Sequence, residues 1–212
     1  IAYIGSKVAD FRPSWAMFDR PELKGRATML ADMRETIGAA LKFLGHSINS
    51  TDPAELAAAR DVVIRWRRNL AKFENEQYKT GLASGEFLLV HAYSGDILQV
   101  QEENEDIVFA VPEEGTSIAC DDLVIPKESR QAELAHALIN FLHDPAVAAE
   151  NTEFISYLCP NVASYPLLAA ETRANPALFV PAAVKAKSEV ITDLGEGNAA
   201  YARIWDEIKA AS

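Results

Sequence analysis

Residues 27–35 read ATMLADMRE, and the rest of the chain is organised around them. Ala27–Leu30 is apolar enough for a short buried strand, and the residues after it have the spacing of a helix start. Asp32 predicts an N-cap, and Glu35, three residues later, has the position of the second capping-box residue. Apolar side chains then recur at helical spacing until Gly45, which predicts the helix end. The stretch therefore predicts a strand that turns directly into a helix.

This turn places two carboxylates where α/β proteins bind ligands. In open α/β sheets, ligands bind beyond the carboxyl ends of the strands. A helix N-terminus normally attracts anions, because its free N–H groups carry partial positive charge. Asp32 and Glu35 offset that field and favour a cationic ligand. A helix cap explains both acids without any ligand, and on local sequence alone the cap is the simpler interpretation.

The composition narrows the class of protein. The chain has 212 residues, 49% of them hydrophobic, which is enough to bury a core as one large or two small domains. The formal net charge of −11 argues against nucleic acid as a partner. No apolar run is long enough to cross a membrane, and no signal peptide is present, which fits a mature chain, a fragment or a cytosolic protein. Cys120 and Cys159 could pair, or both could be buried thiols, and the second interpretation is the simpler one.

Strand-like and helix-like segments alternate along the chain. The predicted strands are Ile1–Gly5, Ala27–Leu30, Phe87–Ala92, Ile107–Val111 and Ile118–Ile125. The helices predicted after Gly45 are Thr51–Leu70, Tyr78–Ala83, a segment from Ser94 to about Glu102, Glu133–Leu142, Asp144–Phe154 and a last one from about Asn198. This alternation with short turns predicts a mostly parallel sheet with helices on both faces.

A second pair of acids, Asp121 and Asp122, lies in an apolar frame within Ile118–Ile125. Acids in a buried strand are costly unless they are paired or solvated by a cleft. A strand edge with both acids in water explains the pattern about equally well.

Residues for catalysis or metal binding are sparse. None of the four histidines has a metal-ligand spacing, no Gly-rich phosphate loop is present, and no serine lies in a nucleophile elbow. His91 falls on a predicted core strand, where a satisfied core histidine is a simpler interpretation than a ligand or base. Cys159 has no evident activating partner. The sequence predicts no enzyme, no cofactor and no metal site.

Several motifs, taken together, resemble a known family. Each motif is weak alone, but their shared order and spacing make the match specific. They are Trp15–Gly25, Asp32–Glu35, Leu44–Pro53, Asp121–Pro126, Leu138–Pro145 and Tyr157–Asn161. The chain resembles the substrate-binding proteins of spermidine/putrescine ABC transporters from Ile4 to its end.

The resemblance implies an α/β fold of the type II periplasmic-binding-protein kind, with two lobes that close over one polyamine. The chain resembles the C-terminal two-thirds, lacking most of the first lobe. Residues 1–12 and 119–161 are expected to be a remnant of the first lobe with the hinge strands, and 13–118 and 162–212 the second lobe. Strands near Tyr3 and Leu123 are expected to cross between the lobes.

The resemblance also implies the ligand-binding residues. Acids hold the ammonium groups in this family, and aromatic rings contact the methylene chain. By position, Asp32 and Glu35 match acids at one end of the site, Asp121 matches the central acid, and Tyr93 and Tyr157 match aromatic positions. Asp122 is expected to be structural. Asp121→Ala is expected to weaken binding more than Glu35→Ala, with Asp121 on a buried strand and Glu35 near the rim.

Two positions depart from the family pattern. Ala119 stands where a Trp is expected, and Ile191 stands where a polar side chain usually contacts the ligand. Because of these changes, a receptor of the same fold for another solute, such as a metal, an amino acid or an organic acid, remains an alternative interpretation. An enzyme or sensor domain on this fold is disfavoured by the lack of a catalytic set.

The expected protein is therefore a monomeric extracytoplasmic or periplasmic receptor. It binds putrescine or spermidine and delivers it to an ABC permease, without a cofactor and without nucleic acid. Lipid anchoring stays open at the level of sequence.

Overall fold

The computed structural model describes residues 1–211 and divides the chain into two compact units. The larger unit contains residues 1–119 together with those from Val180 onward, and the smaller unit contains residues 120–179. The larger unit thus includes residues 1–12, and the smaller one includes 162–179. The expected assignment of segments to the two lobes of a complete protein stays a prediction.

A five-stranded sheet forms the centre of the larger unit. Its strands are β1 (Ala2–Ile4), β2 (Ala27–Met29), β3 (Leu70–Phe73), β4 (Leu89–Val90) and β5 (Ile107–Phe109). The order across the sheet is β3-β2-β4-β1-β5. β2 pairs in parallel with β3 and β4, whereas β1 runs antiparallel to both of its neighbours. The expectation of a mostly parallel sheet is met only in part, because the two pairings of β2 are parallel and the two pairings of β1 are antiparallel.

Helices cover both faces of this sheet. Those of the larger unit are α1 (Met33–Phe43), α2 (Pro53–Arg67), α3 (Gln77–Ala83), α4 (Ser94–Gln101), α8 (Ala182–Lys185) and α9 (Asn198–Ala210). Adjacent β4 residues belong to two different clusters of buried side chains, Leu89 to one and Val90 to the other. Since side chains of a strand alternate between faces, both faces are buried, which agrees with the near-continuous apolar run Phe87–Ala92.

The strand β3 was not predicted from the sequence. The apolar spacing predicted that α2 continues to about Leu70, but α2 ends at Arg67 and Leu70–Phe73 pairs with β2. β3 is an edge strand whose two middle residues are exposed, and one of them is Lys72. Edge strands with exposed charges lack the apolar alternation by which strands are recognised in sequence.

A small parallel sheet joins two distant parts of the larger unit. It consists of β6 (Ser117–Ile118) and β7 (Glu189–Val190). Residues 119–126 contain no strand, so the predicted strand Ile118–Ile125 is wrong beyond Ile118. The crossings between lobes that are expected near Tyr3 and Leu123 stay a prediction. An extended segment forms a ladder only beside another strand. Of the predicted strand Ile118–Ile125, only Ile118 has such a partner among residues 1–211.

The connection between α1 and α2 holds β7 in place. Gly45 ends α1 with a φ of +81°, and the His46 N–H donates to Leu41 O at 2.8 Å, as the predicted helix stop requires. The Asn49 amide then bonds twice across to the other segment. Its Nδ2 donates to Val190 O at 2.9 Å and its Oδ1 accepts from Thr192 N at 3.0 Å.

The smaller unit is helical. It contains α5 (Ala132–Leu142), α6 (Pro145–Ile155) and α7 (Ala170–Ala174), with a 3₁₀ segment at Val162–Leu167. Asp144 caps α6, with its Oδ1 accepting from Ala146 N at 2.9 Å, as the Asp-Pro pair predicted. No residue of α5 is buried, and its exposed apolar side chains Leu134, Leu138 and Phe141 form one stripe at helical spacing.

We expect Asn49→Ala to lower the free energy of unfolding of the larger unit by about 0.5–1.5 kcal/mol, because it removes the exposed bonds to Val190 and Thr192 and the partly buried acceptor of Arg34. Asn49→Asp is the matched variant, since it keeps the Oδ1 acceptor and loses only the donor to Val190 O, so its loss should be smaller. Urea denaturation measures both losses, and amide exchange at Thr192 reports the local opening. Equal losses in the two variants would contradict the assignment.

Candidate functional site

Two of the predicted site residues follow neighbouring parallel strands. Asp32 comes shortly after β2 and Tyr93 shortly after β4, and these strands are paired in parallel. The carboxyl ends of parallel neighbours lie at the same edge of a sheet, which is the edge where α/β folds bind ligands. The larger unit therefore brings Asp32, Glu35 and Tyr93 to one sheet edge.

Asp32 caps α1, as the sequence predicted. Its Oδ1 accepts hydrogen bonds from Arg34 N at 2.8 Å and from Glu35 N at 3.0 Å. Both bonds end on the same oxygen, and the residue is half-buried. The cap interpretation is confirmed, and it uses one of the two carboxylate oxygens.

Glu35 is buried, with only 8% of its surface exposed. Its Oε2 accepts a hydrogen bond from Ser117 Oγ at 2.6 Å, so the carboxylate turns to β6 instead of completing the capping box. His91 Nε2 lies 4.0 Å from the same oxygen. The expectation that Glu35 sits near a solvated rim is wrong, because α1 packs this side chain between the sheet edge and β6.

Burial raises the pKa of the Glu35 carboxyl above its ordinary value. The Ser117 hydrogen bond opposes this change, the Asp32 charge adds to it, and the Arg34 charge opposes it. Arg34 itself is engaged elsewhere, because its guanidinium donates to Thr192 O at 3.0 Å and to Asn49 Oδ1 at 2.8 Å. Within the described residues, Glu35 thus has no Lys or Arg in an ion pair.

His91 packs behind Glu35. Its ring meets Trp15 edge-on with centroids 4.9 Å apart, and the Trp15 indole N–H donates to Gly115 O at 2.9 Å. Burial lowers the pKa of His91 to about 3, so the imidazole is neutral at physiological pH. It is a core histidine as predicted, but not a satisfied one, because its buried Nδ1 has no hydrogen-bond partner among residues 1–211.

Ser117 and His91 are the residues around Glu35 that sequence reasoning missed. His91 was recognised as a core residue but not connected with Glu35, from which α2, β3, α3 and β4 separate it along the chain. Ser117 had no signal in the sequence, because a lone serine before an apolar residue is common in any strand.

The remaining predicted site residues, Asp121 and Tyr157, belong to the smaller unit. Asp121 is exposed and lies in no strand, and its neighbour Cys120 is exposed too, so the two residues do not alternate between a buried and an exposed face as those of the predicted strand would. Tyr157 is half-buried just after α6. Cys120 and Cys159 are both free, and neither is buried, against the simpler interpretation of the sequence. The predicted grouping of all five site residues stays a prediction.

The two departures from the family pattern are neighbours in the larger unit. Ser117 pairs with Glu189 and Ile118 with Val190, in parallel. Ala119 and Ile191 are the next residues along the two strands, so they leave the small sheet side by side. An apolar pair therefore replaces the aromatic and polar pair that the resemblance implies.

In the part of the chain that the structure covers, no group of three or more His, Cys, Asp or Glu residues could hold a metal ion. Across the same residues, every helix is too short or too polar to span a bilayer.

Comparison with known proteins decides the family. Residues 6–180 match the family described as bacterial extracellular solute-binding protein. This chain belongs to that family. The family resemblance of the sequence is confirmed, and so is the expected fold class.

Individual relatives agree with this assignment. The chain is 35% identical over 195 residues to the putrescine/cadaverine-binding protein of Pseudomonas aeruginosa, a match covering 89% of this chain and 55% of the relative. It is 33% identical over 197 residues to the spermidine/putrescine-binding periplasmic protein of Salmonella typhimurium, covering 93% of this chain and 57% of the relative. The chain thus spans little more than half the length of these relatives.

Solved structures show the same architecture. The spermidine/putrescine ABC transporter substrate-binding protein PotD of Streptococcus pneumoniae superimposes with a TM-score of 0.88 at 26% identity, covering 98% of this chain and 65% of PotD. The putative spermidine/putrescine ABC transporter protein of Listeria monocytogenes gives a TM-score of 0.90 at 29% identity, covering 100% of this chain and 66% of that chain.

We expect Glu35→Gln to raise the melting temperature of the ligand-free protein at neutral pH. A carboxyl whose pKa is raised by folding stabilises the native state below its unfolded pKa, and that stability is lost as pH rises through the folded pKa. Glutamine stays neutral and keeps an oxygen for Ser117. The advantage of Glu35→Gln should therefore appear above the ordinary glutamate range and vanish below it.

Calorimetric melting across pH measures this difference. Glu22→Gln is the matched control, because hydrogen bonds lower the pKa of the exposed Glu22 and its replacement should give no gain at neutral pH. A Glu35→Gln protein that melts below the wild type at neutral pH would show that the Glu35 charge is already compensated.

Proposed function

We propose that this protein is an extracytoplasmic receptor that binds a polyamine, putrescine or spermidine, and delivers it to an ABC permease. The observation that carries the proposal is the buried Glu35 carboxylate, which has no cationic side chain paired with it in the described residues. A buried charge without a partner is costly, and an ammonium group from the ligand would compensate it. The names of the relatives support a polyamine as the source of that ammonium.

Asp32, Glu35, Tyr93, Asp121 and Tyr157 are the proposed ligand-binding residues. Carboxylates accept charged hydrogen bonds from primary ammonium groups, each worth about 1.5–3 kcal/mol. Tyrosine rings attract the same groups through their faces and cover the methylene chain between them. Asp32 has its Oδ2 for this purpose, since the cap uses Oδ1.

The remaining properties follow from the same proposal. The protein acts in the periplasm or outside the cytoplasmic membrane, as the names of several relatives indicate for those proteins. It acts as a monomer that binds and releases its ligand unchanged, so it is a receptor and not an enzyme.

A second candidate is a receptor of the same family for another solute. The adjacent Ala119 and Ile191 favour it, because they place apolar groups where the polyamine-binding pattern has aromatic and polar ones. A panel of putrescine, cadaverine, spermidine, amino acids, organic acids and divalent metals distinguishes the two candidates by titration calorimetry of the protein at its natural length. Binding of an acid or a metal, with no heat from any polyamine, would overturn the proposal.

The expected ranking of Asp121→Ala over Glu35→Ala assumed that Asp121 is buried and Glu35 exposed. In this structure Glu35 is buried and Asp121 is exposed, so the ranking loses its basis. Each acid therefore needs its own test.

We expect Asp121→Asn to weaken putrescine binding about ten- to a hundred-fold, which corresponds to the loss of one charged hydrogen bond. Asp122→Asn is the matched control, with the same change of charge one residue away, and its affinity should stay within about two-fold of the wild type. Equal losses of affinity in the two variants would mean that Asp121 acts only through its long-range charge, and would contradict its assignment as a ligand-binding residue.

A further inference from the structure

We propose that Ser117 is a positioning residue for ligand binding, whose hydroxyl fixes the orientation of the Glu35 carboxylate that receives the ligand ammonium. The inference rests on the proposed function, because it takes Glu35 as a ligand-binding acid. Ser117 itself is not proposed to contact the ligand.

The hydrogen bond between the two residues is short and shielded. Ser117 Oγ donates to Glu35 Oε2 at 2.6 Å, within the range of a strong bond between a hydroxyl and a carboxylate. Ser117 is half-buried and Glu35 is buried, so water competes little for either partner. The bond occupies Oε2 and directs Oε1 as the acceptor for the ligand.

The position of Ser117 is fixed by the helix that carries Glu35. Ser117 pairs with Glu189 across the small parallel sheet. The Glu189 carboxylate binds Lys42 of α1 and accepts a hydrogen bond from Ser47. Ser117 thus contacts α1 directly at Glu35 and, through Glu189, at Lys42, which lies two turns further along the same helix.

These contacts restrict the position of Ser117 relative to Glu35. A hydroxyl at a flexible site would rotate away from the carboxylate, whereas β6 is held at this distance by the β7 pairing. Thr116 adds to the constraint, because both of its backbone polar groups are hydrogen-bonded. Its N–H donates to Ser188 Oγ at 3.1 Å, and its carbonyl accepts from Glu189 N at 3.0 Å.

Three ionisable groups lie near Glu35. Asp32 and Arg34 act on its charge from α1 and its N-cap, and His91 lies 4.0 Å away on the segment after β4. His91 stays neutral across the physiological range because burial lowers its pKa to about 3. The Ser117 hydrogen bond favours the ionised carboxylate and lowers the pKa of Glu35 against the effect of burial. Loss of the hydroxyl should therefore raise that pKa.

The test is the pH dependence of putrescine affinity, measured by titration calorimetry on the protein at its natural length. In Ser117→Ala, the pH at which affinity falls should move upward, so the loss is largest at the acid end, about ten-fold, and shrinks toward alkaline pH. Ser117→Thr should restore the wild-type profile. Ser117→Cys, a weaker donor, should lie between Ala and Thr, and it serves if Ser117→Ala does not fold.

Ser14→Ala is the matched control, because Ser14 donates the same kind of bond to a different carboxylate, that of Glu114. Its pH profile should coincide with that of the wild type. A Ser117→Ala profile identical to the wild type, or lowered by one constant factor at every pH, would overturn the inference while polyamine binding stands. A wild-type protein that binds no polyamine at any pH would instead overturn the proposed function, and this inference with it.

Discussion

The site depends on one constraint, the burial of the Glu35 carboxylate at the carboxyl edge of the central sheet. A helix start with two acids can be a simple cap, and Asp32 does serve as one. Glu35 is different, because it accepts a bond from Ser117 and has a neutral histidine beside it. A folded chain keeps such a charge only at a cost to stability, and carboxyl groups perturbed in this way are concentrated at functional sites.

The surrounding scaffold keeps that carboxylate in place. The connection from Leu44 to Pro53 was among the motifs that identify the family. In this structure it holds neighbouring segments together by hydrogen bonds. Asn49 holds the segment that follows β7, and the Tyr201 hydroxyl contacts the carbonyls of Ile48 and Ser50 at 3.0 and 2.8 Å. Arg34 lies over the Tyr201 ring, 4.9 Å from its centroid. The motif therefore stabilises the frame in which β6 presents Ser117 to α1.

The sequence predicted the elements that carry strong local signals. The Asp32 cap, the Gly45 helix end and the doubly buried strand at Leu89–Val90 follow from local rules of capping and periodicity. What it could not predict depends on contacts between distant segments. The edge strand β3 is defined by pairing with β2, and the Glu35 environment is defined by Ser117, 82 residues away. The expected strand through Asp121 failed for the same reason, since a strand needs a neighbour.

The central claim is that Glu35 receives a cation from the ligand. The most direct measurement is the pKa of the Glu35 side-chain carboxyl by ¹³C NMR, in the protein at its natural length with and without putrescine. An ammonium group at the carboxylate favours its ionised form, so the pKa should be raised in the free protein and fall when putrescine is bound. A pKa of Glu35 that is the same in the free and the saturated protein would contradict the account.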